Sequence, residues 1–424
     1  MSKGRVLALL MAAAVAVNGL SFSMPDSDAL ITAEAAEYGT EYLTGVNLDI
    51  YNALRPIIAD IAAGNVSSTE ITISLEYTYS ELEVRTHREA KNALSRSIDK
   101  DIVIAYLVYD CPYEMYWMDK TVEAEFNDEY SKNDDGITVE LTFGFYVATD
   151  YQGDNEFTVD EEKIALANTA MYNAQAIVDK YQDVSDIEKL TAYKDEICSL
   201  VTYEEDYADA DYGDIWQMIW VFDGDDSTNV VCEGYSKALQ YLCDISEFDS
   251  EIKCYTVSGY TSIGRTIGAH MWNVLCVDGT SYMVDVTNSD ADSLGETGEL
   301  FMVSADDAVM SNEYGYIVSA SGYNIMYTYD VTTLRLYDSS VLTLGYTESA
   351  ESTESAESVT LGDVNSDGSV DYLDAMAVLR YDAELITLTD DELLAGDVNY
   401  DGNVDSLDAI LILRYDAGLI DSFD

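Results

Sequence analysis

Read for the spacing of apolar and polar positions, the chain changes period several times before position 346. Apolar residues recur every three or four positions from Glu41 to Ala63, which predicts a helix interrupted near Pro56. Thr69 to Tyr77 alternates with period two and reads as a strand, Arg88 to Asp110 as mostly helical, and Gly136 to Val147 as strand. Thr158 with Glu161 three residues on is a capping-box pattern that predicts a long helix to about Gln182, and Ser185 with Glu188 opens another. Helical spacing returns at Asp214 to Phe222 and again from Cys232. Strands are expected at Glu251 to Tyr260, Ala269 to Val277 and Ser281 to Thr287. Helices and strands that do not strictly alternate predict an α+β domain.

Both ends of the chain depart from that pattern. Lys3 and Arg5 precede an apolar run from Val6 to Val17, and Ala33-Glu34-Ala35 supplies a small-x-small cleavage pattern, so residues 1–35 are expected to be a signal peptide of a secreted, extracellular protein. Twelve apolar residues are too few to span a bilayer, and no membrane span is expected elsewhere. Residues 347–360 contain TESAES twice in succession, hold almost no side chain able to form a core, and read as a flexible linker. Residues 36–346 thus form one region and residues 361–424 another.

Charge narrows the partners. The chain of 424 residues carries 81 Asp plus Glu against 20 Lys plus Arg, a formal net charge of −61. Such a surface cannot neutralise a phosphate backbone, which excludes nucleic acid, and it is repelled by anionic membranes. Disorder is excluded too, because 48% of the residues are apolar and 11% aromatic.

The two histidines, His87 and His270, make the search for chemistry short. His87 lies in a polar helix start and reads as an exposed residue. His270 opens the apolar stretch Ala269-His270-Met271-Trp272-Asn273, where a histidine is more often a satisfied core residue. The next turn changes that reading. Asp278-Gly279 is a two-residue hairpin pattern that pairs Val277 with Thr280 and, by extension, Trp272 with Asp285. His270 and Asp285 then share a face as diagonal neighbours, where a carboxylate can hold an imidazole tautomer. Cys232 begins a helix, a setting that favours a thiolate. The other five cysteines, Cys111, Cys198, Cys243, Cys254 and Cys276, show no compact spacing, and their disulfide state stays open.

The segments VVCEGYSKALQYLC, AHMWNVLCVDG and SYMVDVTNSD, within 214–290, resemble the three-block pattern of bacterial transglutaminase-like domains, which are similar to papain-type cysteine peptidases. The resemblance implies a transglutaminase-like fold, Cys232 as nucleophile, His270 as general base and acid, Asp285 as its orienter, and no cofactor. It implies acyl transfer, read here as hydrolysis of a protein or peptide substrate, with a cross-linking transglutaminase or a non-catalytic binding protein as alternatives. Asn288 stands where that family commonly has tryptophan. Cys232 N–H is one candidate oxyanion donor, with Trp216 and Gln217 as upstream candidates for a second.

Beyond the linker, residues 362–386 and 396–420 are copies offset by 34 positions and identical at 18 of 25. Each contains a twelve-residue loop of hard oxygen ligands suited to Ca²⁺: Asp363, Asn365, Asp367, the Ser369 carbonyl, Asp371 and Asp374, then Asp397, Asn399, Asp401, the Asn403 carbonyl, Asp405 and Asp408. Two ions are expected. Position 12 is Asp where an EF-hand has Glu, and Gly362 and Gly396 stand where an incoming helix would end. The duplicated loop–helix unit resembles a type I dockerin, a small all-α module. That resemblance implies docking onto a cohesin module of a scaffoldin in a cellulosome-type or cell-surface complex. It also implies cohesin contacts from Tyr372, Leu373 and Arg380 and from Ser406, Leu407 and Arg414. Tyr372 against Ser406 breaks the internal symmetry.

Overall fold

A computed structural model describes residues 38–345 except 206, 208–211, 226, 291–292, 296–297 and 313–314. Beyond 360 it describes all but 366–369, 371, 383–387, 389, 397, 399–403, 405, 417–419, 421–422 and 424. The expected signal peptide and the linker lie outside the described residues. The chain divides into two compact units, the first ending at Glu348 and the second beginning at Ser349.

The first unit opens with α1 (Tyr38–Tyr42) and α2 (Gly45–Ala62). The predicted break at Pro56 does not occur: α2 runs through it as one helix. The apolar stripe that buries Ile50, Leu54, Ile58 and Ile61 outweighs the single backbone hydrogen bond a proline forfeits. Strand β1 (Glu70–Thr78), helices α3 (His87–Ser97) and α4 (Lys100–Asp110), and strands β2 (Glu125–Lys132) and β3 (Gly136–Gly144) follow. They give a three-stranded antiparallel sheet in the order β1-β3-β2. Asp110, fully buried at the end of α4, ties α1 and α2 together by accepting from Gly39 N–H at 2.6 Å and from the Tyr51 hydroxyl at 2.7 Å.

Helix α5 (Glu161–Lys180) is capped by Asp160, whose carboxylate accepts from the Glu162 and Lys163 N–H groups. Thr158, the predicted cap, spends its hydroxyl on a turn with Asn155 instead. Helix α6 (Asp186–Leu200) starts as predicted, with Glu188 accepting from both the backbone and hydroxyl of Ser185. Strands β4 (Thr202–Tyr203) and β5 (Asn229–Val230) pair in parallel across two short 3₁₀ turns at Asp214–Trp216 and Met218–Trp220. Helix α7 (Cys232–Asp244) then buries every residue from Glu233 to Cys243. Burying each of Leu239 and Leu242 is worth about 2 kcal/mol.

Strands β6 (Ile252–Ile263), β7 (Thr266–Val277), β8 (Thr280–Val284), β9 (Ala308–Asn312), β10 (Gly315–Ala320) and β11 (Tyr323–Tyr329) build a six-stranded sheet in the order β8-β7-β6-β11-β10-β9. Short helices α8 (Val331–Leu336) and α9 (Ser339–Leu342) complete the unit. This is the α+β class expected. In the second unit, α10 (Tyr372–Asp382), α11 (Asp390–Gly396) and α12 (Ser406–Asp416) surround a small core of Val364, Ala375, Val378, Val398, Ala409 and Ile412. Among the described residues no helix is long and apolar enough to cross a membrane.

Candidate functional site

The hairpin β7–β8 turns on Asp278 and Gly279, both with positive φ (49° and 76°), as a type I′ turn requires. The register follows as predicted: Val277 faces Thr280 and Asn273 faces Val284. Strand β8 ends at Val284, and Asp285 N–H bonds to Leu300 O at 2.9 Å. Across the hairpin, His270 Nε2 meets Asp285 Oδ2 at 2.8 Å.

Cys232 approaches from the other side as the first residue of α7. Val231 before it has extended backbone, and its N–H bonds to Ile215 O at 2.8 Å, which fixes the entry of the chain. Two positions on, a Cβ on Gly234 would sit 2.9 Å from Val230 Cβ, so this first turn tolerates only glycine without rearrangement. Cys232 is half-buried. Its sulfur lies close enough to His270 to act on the charge of the ring, whose Nε2 meets Asp285.

Electrostatics favour an imidazolium. Burial disfavours the charged ring, but the Asp285 carboxylate and the Cys232 sulfur outweigh it and lift His270 from 6.5 to about 10. Asp285 is fully buried, which acts to raise its pKa, yet the imidazole and the Asn288 side-chain and backbone donors hold it below its ordinary value. Asn288 is the residue that replaces the expected tryptophan. Its N–H donates to Asp285 Oδ1 at 3.0 Å and its Nδ2 to Oδ2 at 2.7 Å. A further donor comes from β11, where the Tyr327 hydroxyl bonds to Oδ2 at 2.7 Å.

Next to Cys232, buried Glu233 accepts from Lys237 at 2.7 Å, from the Tyr212 hydroxyl at 3.0 Å and from Lys120. Burial opposes its charge, but the two ammonium groups bring Glu233 down to about 2. Lys237 stands four residues on, the spacing at which helical side chains meet, whereas Lys120 and Tyr212 come from distant segments with no local signal. Gln217 is fully buried, and among the described residues neither amide atom makes a hydrogen bond of good geometry, although the Tyr212 hydroxyl lies within electrostatic reach. His87 starts α3 half-buried rather than exposed, with Nδ1 buried and without a hydrogen-bond partner among the described residues. All six cysteines are free thiols.

In the second unit, Asp363, Asn365, Asp374 and Asp408 are described. Asp367, Ser369, Asp371, Asp397, Asn399, Asp401, Asn403 and Asp405 lie outside the described residues, as do the side chains of Tyr372, Leu373 and Arg380. Asp374 and Asp408 are fully buried and Asp363 is nearly so, an unusual placement for carboxylates in a module with so small a core. Asn365 N–H donates to Asp374 Oδ1 at 3.0 Å, which brings positions 3 and 12 of the first loop together. These buried hard oxygens fit Ca²⁺. Ser406, Leu407 and Arg414 are solvent-exposed.

Residues 361–415 match the family model of the type I dockerin domain, and the chain carries that domain. Among solved structures, a TGase is 17% identical over 38% of this chain and 44% of its own, with a TM-score of 0.24. A candidate cysteine protease from Cytophaga hutchinsonii is 13% identical over 39% of this chain and 63% of its own, with a TM-score of 0.22. The chain thus spans less than two thirds of either protein. No curated protein matches at a significant level.

Proposed function

We propose that the type I dockerin domain at residues 361–415 delivers a cysteine acyltransferase, acting as a hydrolase of protein or peptide, to the cohesin module of an extracellular, cellulosome-type scaffold. The observation that carries the catalytic half is His270, bonded to Asp285 at 2.8 Å through Nε2 with the Cys232 sulfur near enough to act on its charge; Nδ1 is the nitrogen proposed to face that sulfur.

In this reading His270 takes the Cys232 proton, and the thiolate adds to a carboxamide or peptide carbonyl. The imidazolium, stabilised by Asp285, returns that proton to the departing amine, leaving a thioester on Cys232. His270 then deprotonates water, which adds to the thioester, releases the acid and restores the thiol. Cys232 N–H at the helix start and the buried amide of Gln217, which has no hydrogen bond of good geometry among the described residues, are the donors proposed for the oxyanion.

In the dockerin domain, Asp363, Asn365, Asp367, the Ser369 carbonyl, Asp371 and Asp374 would hold one Ca²⁺. Asp397, Asn399, Asp401, the Asn403 carbonyl, Asp405 and Asp408 would hold a second. Bound there, Ca²⁺ supplies the charge neutralisation that lets buried carboxylates fold together. Tyr372, Leu373, Arg380, Ser406, Leu407 and Arg414 are the proposed cohesin contacts.

The test is incubation of the full chain with casein and a tagged primary amine. New amino termini or released ammonia, absent with Cys232→Ala, are expected. Incorporation of the tag would identify a cross-linking enzyme instead, and neither product would leave docking as the sole function.

A further inference from the structure

Asp285 receives more donors than an orienting carboxylate needs. Its Oδ1 accepts from Asn288 N–H at 3.0 Å; its Oδ2 accepts from His270 Nε2 at 2.8 Å, Asn288 Nδ2 at 2.7 Å and the Tyr327 hydroxyl at 2.7 Å. Asn288 therefore brackets both oxygens from the chain that follows the hairpin. Tyr327 reaches the same oxygen from β11, with β6 between its strand and β7.

The direction of that hydroxyl is fixed by packing. The Tyr327 ring meets Trp272 edge-on at 5.2 Å and stacks on Tyr316 at 5.7 Å. Trp272 in turn donates to the Tyr316 hydroxyl at 2.7 Å, so the wall behind His270 is hydrogen-bonded as well as packed. Asp285 has no exposed surface, so water cannot solvate its charge and fixed donors must. The other titratable groups facing this corner are His270 on β7, Cys198 on α6 and Tyr203 on β4. Cys232 lies beyond the imidazole, and Asp290 is held by the Tyr235 hydroxyl.

We propose that Asn288 and Tyr327 are positioning residues of the Cys232–His270–Asp285 site, holding the Asp285 carboxylate ionised and aimed at His270 Nε2 where water is excluded. The inference rests on the catalytic reading above. It assigns a task to the asparagine that departs from the family pattern and to a tyrosine with no place in it.

The test is the pH dependence of Cys232 alkylation by iodoacetamide, followed by peptide mass on the full chain, for the wild type, Tyr327→Phe, Asn288→Ala and Tyr316→Phe. Loss of a donor makes Asp285 easier to protonate, so the acid-side midpoint should rise by about half to one pH unit in the first two variants. Tyr316→Phe removes a buried hydroxyl from the same wall without touching Asp285, and should lower thermal stability while leaving the midpoint in place. A Tyr327→Phe midpoint equal to wild type, or a uniform slowing indistinguishable from Tyr316→Phe, overturns the proposal. Failure of the underlying reading would appear separately, as equal alkylation of wild type and His270→Ala.

Discussion

His270 meets Asp285 through Nε2 and lies near the Cys232 sulfur, so its charge is coupled to folding. Its folded pKa of about 10 lies above the ordinary 6.5. The stabilisation it contributes is therefore complete below pH 6.5 and lost as pH rises towards 10. Thermal midpoints of wild type and His270→Ala should accordingly converge between pH 6.5 and 10; a constant gap over that window would contradict the assignment. Asp285 has the opposite sense, since its lowered pKa adds stability above its ordinary value that is lost as pH falls through the folded one. Beside Cys232, Glu233 balances Lys237 and Lys120, of which Lys237 is almost wholly buried. Glu233→Gln leaves those ammonium groups without their carboxylate, and urea unfolding should show a loss of about 3 kcal/mol.

At the scale of elements, the turn at Asp278-Gly279 carries most of what could be read about the site from the sequence. Its two residues impose the register, the register puts His270 and Asp285 on one face, and the structure keeps that register. Adding one glycine between Asp278 and Gly279 should therefore abolish His270-dependent alkylation of Cys232 while circular dichroism stays native, because a one-residue slip moves Asp285 to the opposite face. Retained His270-dependent alkylation in the folded insertion variant would contradict the role given to the turn. Other features were hidden for identifiable reasons. Tyr327 is invisible from sequence because its reach to Asp285 depends on β11 pairing with β6, a contact no local pattern announces. Lys120 meets Glu233 across 113 residues for the same reason. Thr158 and Asp160 are both good caps for α5, and only the turn with Asn155 settles which hydroxyl or carboxylate is available. Helix α2 runs through Pro56 because tertiary burial of one helix face exceeds a local penalty.

At the scale of the molecule, the net charge of −61 divides unevenly. Residues 361–424 hold 16 acidic and two basic residues, a net of 2 − 16 = −14, and eight of the acidic residues are loop aspartates. With carboxylates buried in so small a core, calcium should decide whether this unit folds. Circular dichroism of residues 359–424 should lose helix on addition of a chelator and regain it with excess Ca²⁺; an unchanged spectrum would count against the loop assignment. The first unit has its own, larger core. The claim on which the enzymatic account stands is that Cys232 is activated by His270. It is tested most directly by the rate of Cys232 alkylation at pH 7 in the full chain and in His270→Ala. The account predicts a rate at least about a hundredfold lower in the variant, the scale of a lost general base, whereas equal, slow alkylation in both proteins would contradict it.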